Sequence, residues 1–287
     1  MMNDNTISKT GLKKAAAAAT GAITLCVLLF GGLTQMAAAA ELGGVDTVAT
    51  TYTASAQKNT IPKGYIKANY KVVADELYQE QPGAKDLTMG EAAEMGAQMV
   101  WEVFDADLEG ATIYMGYCSG TETFPRPFWS GDIRYGDQRT PNDPGYGFMI
   151  DAVTGERFST AWGRVIEAKA DLGLDAALAK HPEEYEALAK TTAQKLDLVH
   201  GGILSAQYQS QGYSGNDPTI GIVVTGVNGE KAHLDFSRYD RQLIGVSYDA
   251  ERKISEPALQ KLLAELEKKA ETMPKSEDGS CTLIALP

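Results

Sequence analysis

The sequence predicts an α+β fold in which helices pack on antiparallel sheets. Three segments carry apolar residues at helical spacing, and strand-like runs follow the first two of them. One motif also occurs twice, and each copy follows a helix and a strand. The sequence therefore predicts two tandem units, each with a helix packed on an antiparallel sheet, plus a C-terminal helix.

Residues 1–40 have the pattern of a bacterial-type export signal. Lys13 and Lys14 precede an uncharged run of 26 residues, from 15 to 40, with a strongly apolar centre and a small-residue end. The run favours a cleaved signal peptide, but it is long enough to span a bilayer, so an uncleaved membrane anchor is the alternative. In both cases the basic flank stays in the cytoplasm. The remainder is predicted to be extracytoplasmic, either secreted or anchored at the outer face of the cytoplasmic membrane.

The remainder of the chain divides into a linker, two units and a tail. Residues 41–62 are rich in Thr, Ala, Ser and Gly without a clear period, which is typical of a linker. The predicted first unit covers 63–164 and the second 165–254, followed by a C-terminal helix and tail at 255–287. An apolar content of 44% is ample for a packed core in a chain of this length.

The charge balance is acidic. The chain has 26 basic and 38 acidic residues, and the part beyond residue 40 carries a net charge of −14. Such a surface repels the phosphates of nucleic acids and of anionic lipids. Nucleic acid is therefore excluded as a partner, and the membrane is predicted to be contacted only through the N-terminal segment.

Three amphipathic helices are predicted. The first begins at Thr88, whose spacing from Glu91 is that of a capping box. The second runs from Pro182 to His200 and stops before two glycines. The third is opened by Ser255. Their apolar positions are Ala92, Gly96, Met99, Val100 and Val103; Tyr185, Leu188, Ala189, Thr192, Leu196 and Val199; and Leu259, Leu262, Leu263, Leu266, Ala270 and Met273.

Strands are predicted at 111–118, 147–151, 203–208, 220–225 and 243–248. The strongest hairpin signal is Asn228 followed by Gly229. Both residues tolerate the positive φ that a two-residue type I′ turn requires, so this turn type is predicted between two strands.

The internal repeat appears when the chain is shifted by 74 residues. The shift aligns Asn142, Asp143 and Pro144 with Asn216, Asp217 and Pro218, and it also pairs Gly155 with Gly229 and Glu156 with Glu230. Asx-type side-chain bonds and the fixed φ of proline explain the first motif as a strand start, and the glycines close turns. The alternative, calcium binding by the two aspartates, lacks the six to eight oxygens that this ion needs. The first unit carries a longer excursion from 119 to 140.

These motifs resemble the PepSY family. The resemblance is carried by Leu-Thr-Met-Gly-Glu-Ala-Ala-Glu at 87–94, which opens a helix, and by the hairpin sequences at 148–156 and 222–230. It covers roughly residues 71–248 as two tandem PepSY-like units. PepSY-like modules occur in exported or membrane-anchored bacterial proteins, including peptidase propeptides. The resemblance implies binding, often with inhibition or regulation of a peptidase, and it implies no catalytic residues.

The sequence contains no recognisable catalytic, metal or cofactor motif. None of His181, His200 and His233 lies in a zinc-binding pattern, and Gly-x-Ser-x-Gly is absent. His200 is interpreted as a favourable charge at a helix C-terminus. No metal or cofactor is therefore predicted, and the protein is predicted not to be an enzyme.

Cysteine chemistry is left open by the sequence. Cys26 lies in the apolar N-terminal segment, so only Cys118 and Cys281 remain in the folded part. These two are a possible disulfide after export, and two isolated buried thiols are the alternative.

The candidate binding residues lie in the excursion between 119 and 140. They are Phe124, Arg126, Phe128, Trp129 and Tyr135. Aromatic residues and arginine on a loop are favoured in contacts with a protein or peptide. The alternative is that the loop folds back and covers the open face of the sheet.

The sequence thus predicts a noncatalytic extracytoplasmic binding or regulatory module. Its predicted partner is a protein or peptide, with a peptidase or a membrane protein as the narrower expectation. Two alternatives remain: an exported hydrolase whose site lies between the two units, and a structural spacer domain of the cell envelope.

Overall fold

The computed structural model describes residues 61–121, 124–136, 144–166, 173–212 and 217–272. The helices in these ranges are α1 (Met89–Phe104), α2 (Ala176–Lys180), α3 (Glu183–Lys195) and α4 (Asp249–Thr272). The strands are β1 (Lys71–Ala74), β2 (Thr112–Cys118), β3 (Phe128–Arg134), β4 (Gly145–Asp151), β5 (Arg157–Gly163), β6 (Ile203–Gly212), β7 (Thr219–Gly226), β8 (Lys231–Ser237) and β9 (Leu243–Ser247).

Several predictions concern parts of the chain outside the described residues. These are the signal or anchor segment, nearly all of the linker, Asp143 and Cys281, together with Met273 and the side chains of Leu259, Leu262, Leu263, Leu266 and Ala270. Within the described ranges, no helix is both long enough and apolar enough to cross a membrane.

All nine strands form one sheet. Their order is β1-β2-β3-β4-β5-β9-β8-β7-β6. Only β1 and β2 run parallel, and every other neighbouring pair is antiparallel. The predicted α+β class is confirmed.

The two predicted units meet in the middle of this sheet. Strands β2 to β5 fall in the range 63–164, and β6 to β9 fall in 165–254. The join, called the seam here, is the pairing of β5 with β9 from Ser159↔Ser247 to Ala161↔Gly245. The units are therefore connected through backbone hydrogen bonds of one continuous sheet.

Helix α1 begins with the predicted capping box. The Glu91 N–H donates to Thr88 Oγ1 at 3.3 Å, and the Thr88 N–H donates to Glu91 Oε2 at 2.9 Å. The two bonds satisfy backbone donors that a helix start leaves free. The helix buries one stripe against the first unit's strands: Ala92, Ala93, Gly96, Ala97, Gln98, Met99 and Val100.

Phe148 of β4 fills the contact between α1 and the sheet. A Cβ atom built on Gly96 of α1, or on Gly131 of β3, would lie 2.1 Å from the Phe148 ring. No real contact of this kind is so short, so both positions require a residue without a side chain. The helix can approach the sheet this closely only because of these two glycines.

Helix α3 is shorter than the predicted segment from Pro182 to His200. It ends at Lys195, and the Leu196 N–H makes the last bond, to the Thr192 carbonyl at 3.0 Å. The chain then turns so that Leu198 and Val199 enter the core of the second unit. Burial of these side chains overrides the continued helical spacing.

The excursion between 119 and 140 contains strand β3. This strand pairs with β2 on one side and β4 on the other. In the second unit β6 pairs directly with β7, so the units share the repeated hairpin but differ beside it. The excursion thus widens the sheet by one strand.

The turn between β7 and β8 differs from the predicted type I′ turn. Gly229 has a φ of 86°, whereas Asn228 is not among the described residues with positive φ. The Gly226 N–H donates to the Glu230 carbonyl at 2.8 Å, which closes a longer turn. Asn228 instead accepts a hydrogen bond from the Glu230 N–H through its side chain, at 3.0 Å. Only the glycine therefore adopts the left-handed conformation, as Gly155 does in the first copy.

Helix α4 begins at Asp249, six residues before the predicted start at Ser255, and Pro257 lies inside it. Ala250 and Ile254 pack with Phe128, whereas Trp129 packs with the α1 core. Because neighbouring residues of a strand point to opposite faces, α4 lies on the face opposite α1.

Candidate functional site: a cleft beside the seam

A cleft of about 550 Å³ opens where β5 leaves the seam and where the β8–β9 turn passes it. Both units contribute to its wall. The lining residues are Pro144, Trp162, Arg164, Val165, Ile166, Tyr239 and Asp240.

Arg164 connects the two units through ion pairs. Its Nε and Nη2 donate to Asp217 Oδ2 at 2.9 and 2.6 Å. Its Nη1 donates to Asp240 Oδ2 at 2.7 Å, and Nη2 also donates to Asp240 Oδ1 at 3.1 Å. The other oxygen of Asp217 accepts a bond of 2.5 Å from the Ser237 hydroxyl. The guanidinium group is thus fully engaged with the second unit.

Within this network, the ion pair of Arg164 and Asp240 favours the charged form of both groups. Burial works against the guanidinium charge, but the bonds to Asp240 and Asp217 outweigh it and raise the pKa of Arg164. The hydrogen bond from Arg164 is the main reason that the pKa of Asp240 is lowered. Both groups therefore stay ionised near neutral pH, and neither is suited to take up or release a proton in a reaction.

Trp162 contributes an aromatic ring to the lining of the cleft. Trp162 stacks on Tyr146 with ring centres 6.0 Å apart, and the Arg164 guanidinium lies 5.0 Å from the Trp162 ring centre. Val165 is exposed at the rim, with 62% of its surface accessible. Stacked rings, paired charges and an apolar rim favour contact with an uncharged apolar group of a partner.

Asp217 belongs to the repeated motif. It has two sequence-based interpretations, turn formation and calcium binding. In the structure it has a different role, as the partner of Arg164 and Ser237. Among the residues that the structure describes, no group of three or more His, Cys, Asp or Glu side chains could hold a metal ion. A sequence motif identified Asp217 as a candidate residue, whereas no motif pointed to Arg164 or Trp162.

The structure does not bring the candidate binding residues of the excursion to one surface. Phe124 and Phe128 are buried in one cluster, and Trp129 lies on the opposite face, where its Nε1 donates to the Leu87 carbonyl at 2.9 Å. Packing alone accounts for these three side chains. Their proposed contact with a partner stays a prediction.

Arg126 and Tyr135 complete the set of candidate binding residues. Arg126 pairs with Asp151 and Glu156, the latter at 3.2 Å, and lies 5.4 Å from the Phe158 ring centre. Tyr135 is 43% exposed, and its hydroxyl donates to the Asp107 carbonyl at 2.6 Å.

The histidines occupy three different settings. His181 is exposed, 3.6 Å from Glu183. His200 lies beyond the end of α3, so its interpretation as a charge at the helix terminus is wrong. It instead lies 2.9 Å from Glu230, and that hydrogen bond raises the pKa of His200. His233 is buried on β8, with Nε2 3.7 Å from Asp235 Oδ1.

Cys118 ends β2 and is half-buried. Burial raises the pKa of its thiol, which disfavours the reactive thiolate. Because Cys281 lies outside the described part of the chain, the disulfide stays a prediction.

No family model matches the chain, and no curated protein matches it. Among solved structures, the chain is similar to the Bacillus megaterium YpeB C-terminal domain, with 10% sequence identity and a TM-score of 0.33. The match covers 58% of this chain and 66% of that one, which is slightly under two thirds of its length. A score at this level does not establish a shared fold.

Proposed function

We propose that this protein is a noncatalytic extracytoplasmic binding module for a protein or peptide partner. The observation that carries the proposal is the cleft beside the seam, where Trp162 and Tyr239 contribute to the lining and Arg164 is paired with Asp217 and Asp240. Such a surface can receive an apolar side chain without leaving a buried charge unpaired. The location is supported by the export pattern of residues 1–40.

A narrower form of the proposal concerns the partner. The PepSY-like motifs at 87–94, 148–156 and 222–230 imply a peptidase or a membrane protein, with inhibition or regulation as the effect. An inhibition assay against the captured partner, if it is a peptidase, tests this form separately from binding itself.

The test compares two matched substitutions at exposed valines. Val165→Asp places a charge at the cleft rim, whereas Val227→Asp does so on the β7–β8 turn at nearly equal exposure, 62% against 59%. The chain from Glu41 onward is cross-linked in envelope extract, the captured protein is identified, and its affinity is measured with purified components. We expect Val165→Asp to weaken binding at least tenfold and Val227→Asp to have little effect, because a charge in an apolar contact loses hydration.

Equal affinity of both variants and the unsubstituted chain would remove the cleft as the binding site. In that case the exported hydrolase and the envelope spacer remain. The hydrolase has one specific observation in its favour, the buried group of His233, Asp235 and Glu251 next to the seam. Hydrolytic activity that is lost in a folded His233→Gln variant would support it, and a spacer would show neither binding nor activity.

A further inference from the structure

The first two turns of α4, residues 249–256, lie across the seam and contact both units. On the first unit, Ala250 and Ile254 pack against a cluster that includes Phe124, Phe128 and Phe158. On the second unit, Arg252 Nη1 donates to Gln209 Oε1 of β6 at 3.4 Å. This segment therefore covers the junction of the two units on one face of the sheet.

Glu251 belongs to this segment, and its side chain is buried against the sheet. It is 1% exposed, and neither oxygen of its carboxyl group has a hydrogen bond of acceptable geometry, although Ser247 lies beside it. Asp235 of β8 is the neighbouring acid, and it is itself 6% exposed. An ionised Glu251 would thus be a buried charge beside a second buried carboxyl group.

The nearby basic groups do not offset this charge. Arg252 is directed to Glu256 and Gln209, and its effect on Glu251 is smaller than that of burial. His233 is buried, and burial lowers its pKa. The pKa of Glu251 is therefore raised to about 7, and burial is the largest cause of this shift.

We propose that residues 249–256 form a latch that closes over the seam while the Glu251 carboxyl group is protonated and opens when this group loses its proton to solvent. The inference goes beyond binding and does not depend on the cleft. Pro257 follows the latch directly and has no N–H to donate to the Lys253 carbonyl, so the helix is weakened where the latch ends.

The sign of the pH dependence follows from linkage. The closed state keeps the Glu251 proton up to about pH 7, whereas the exposed carboxyl of the open state loses it near its ordinary pKa of 4.5. Closure is therefore fully favoured below about pH 4.5 and weakens as the pH rises to about 7, where the effect levels off. The ratio of open to closed molecules should rise by about two orders of magnitude over this range.

His233 and Asp235 are the other titratable groups beneath the latch. Burial raises the pKa of Asp235 and lowers that of His233, so burial disfavours the charged form of each group. The comparison with Glu251→Gln separates any contribution of this pair from that of Glu251.

Opening would uncover an apolar surface. Ala250 and Ile254 would leave the cluster of Phe124, Phe128 and Phe158, two of which were candidate binding residues. The latch would in this way couple the acidity of the surroundings to the exposure of these rings.

Hydrogen exchange tests the latch directly. The chain from Glu41 to Pro287 is exchanged at pH 5.0 and pH 7.5, with rates corrected for intrinsic exchange, and the peptide covering 249–257 is compared with β7. We expect protection of the latch to fall at least tenfold at the higher pH while β7 stays protected. Glu251→Gln should remove this pH dependence, and Glu265→Gln, which makes the same charge change elsewhere on α4, should keep it. Equal protection at both pH values, or an unchanged dependence in Glu251→Gln, would overturn the proposal.

A carboxyl NMR titration of glutamate-labelled protein provides a second check, because it follows the Glu251 carboxyl group in the unsubstituted chain. We expect one resonance, missing from the Glu251→Gln spectrum, to titrate near pH 7 together with exchange broadening of the latch. Titration of Glu251 near 4.5 while the latch remains protected would overturn the proposal.

Discussion

At the residue scale, Arg164 is the side chain that joins the two units most directly. Its side chain and that of Asp217 are 10% and 9% exposed, and they pair at 2.6 Å. Arg164→Ala would leave the Asp217 carboxylate buried without its cation. We expect a loss of about 3 kcal/mol in the free energy of unfolding, measured by urea denaturation. Arg164→Lys should recover only part of it, because an ammonium group cannot reproduce the two-sided contact with Asp217 and Asp240.

An exposed ion pair provides the matched control. Glu184 pairs with Arg241 at 2.5 Å, but both side chains are more than half exposed. Glu184→Gln should therefore change the free energy of unfolding by less than about 1 kcal/mol. If Arg164→Ala were equally mild, the ion pairs of Arg164 would have no role in holding the units together.

The sequence could indicate Asp217 but not its partner. Asp217 belongs to the repeated motif, so the sequence alone could identify it as a candidate. Arg164 lies 53 residues away and belongs to no motif. The candidate aromatic residues show the same limit. The sequence singled out Phe124, Phe128 and Trp129 as candidates. The pairing of β3 buries Phe128 and Trp129, and Phe124 packs against Phe128 and Phe158.

At the scale of elements, the contact of α1 with the sheet depends on Gly96. Gly96→Ala would place a methyl group into the ring of Phe148, so we expect a loss of about 2 kcal/mol or more in the free energy of unfolding. At Gly90, in the same helix, an added Cβ atom would have no neighbour within 4 Å. Gly90→Ala should therefore be neutral or stabilise by up to about 1 kcal/mol, since alanine favours the helix. Similar thermal midpoints for the two variants would contradict the proposed packing.

Helices and turns could be predicted from the sequence where the residues that determine them are close together in the chain. The capping box of Thr88 and Glu91 involves residues three apart, and it is confirmed. The turn at Asn228 was wrong in type because the strand register, rather than the dipeptide, fixes where β7 ends. The early start of α4 at Asp249 was missed because its first turns are held by contacts with both units, which no local pattern contains.

At the scale of the whole molecule, the continuous sheet predicts one unfolding transition for both units. The three tryptophans, Trp101, Trp129 and Trp162, all lie in the first unit, so their fluorescence reports only on that unit. Far-UV circular dichroism reports on both. Because β5 and β9 are hydrogen-bonded at the seam, we expect the two signals to give the same midpoint in urea. A fluorescence midpoint separated from that of circular dichroism would mean that the seam does not couple the units.

The repeat predicted two units, but not how they would join. The identity of the copies lies in the hairpins β4–β5 and β7–β8, and the strand that connects them, β9, lies outside the repeated motif. Pairing between distant strands has no signature in a single sequence. The repeated hairpins were therefore predictable, whereas their place in one continuous sheet was not.

The central place of β9 has a consequence for synthesis from the N-terminus. Among the strands that the structure describes, β9 is the last to be synthesised, yet it lies between β5 and β8 in the finished sheet. Until residue 247 emerges, each half presents one unpaired inner strand to its surroundings, and such an edge readily pairs with another chain. The growing polypeptide therefore cannot complete either half before β9 is available, and chaperones that shield strand edges should act on it until residue 247 has been released.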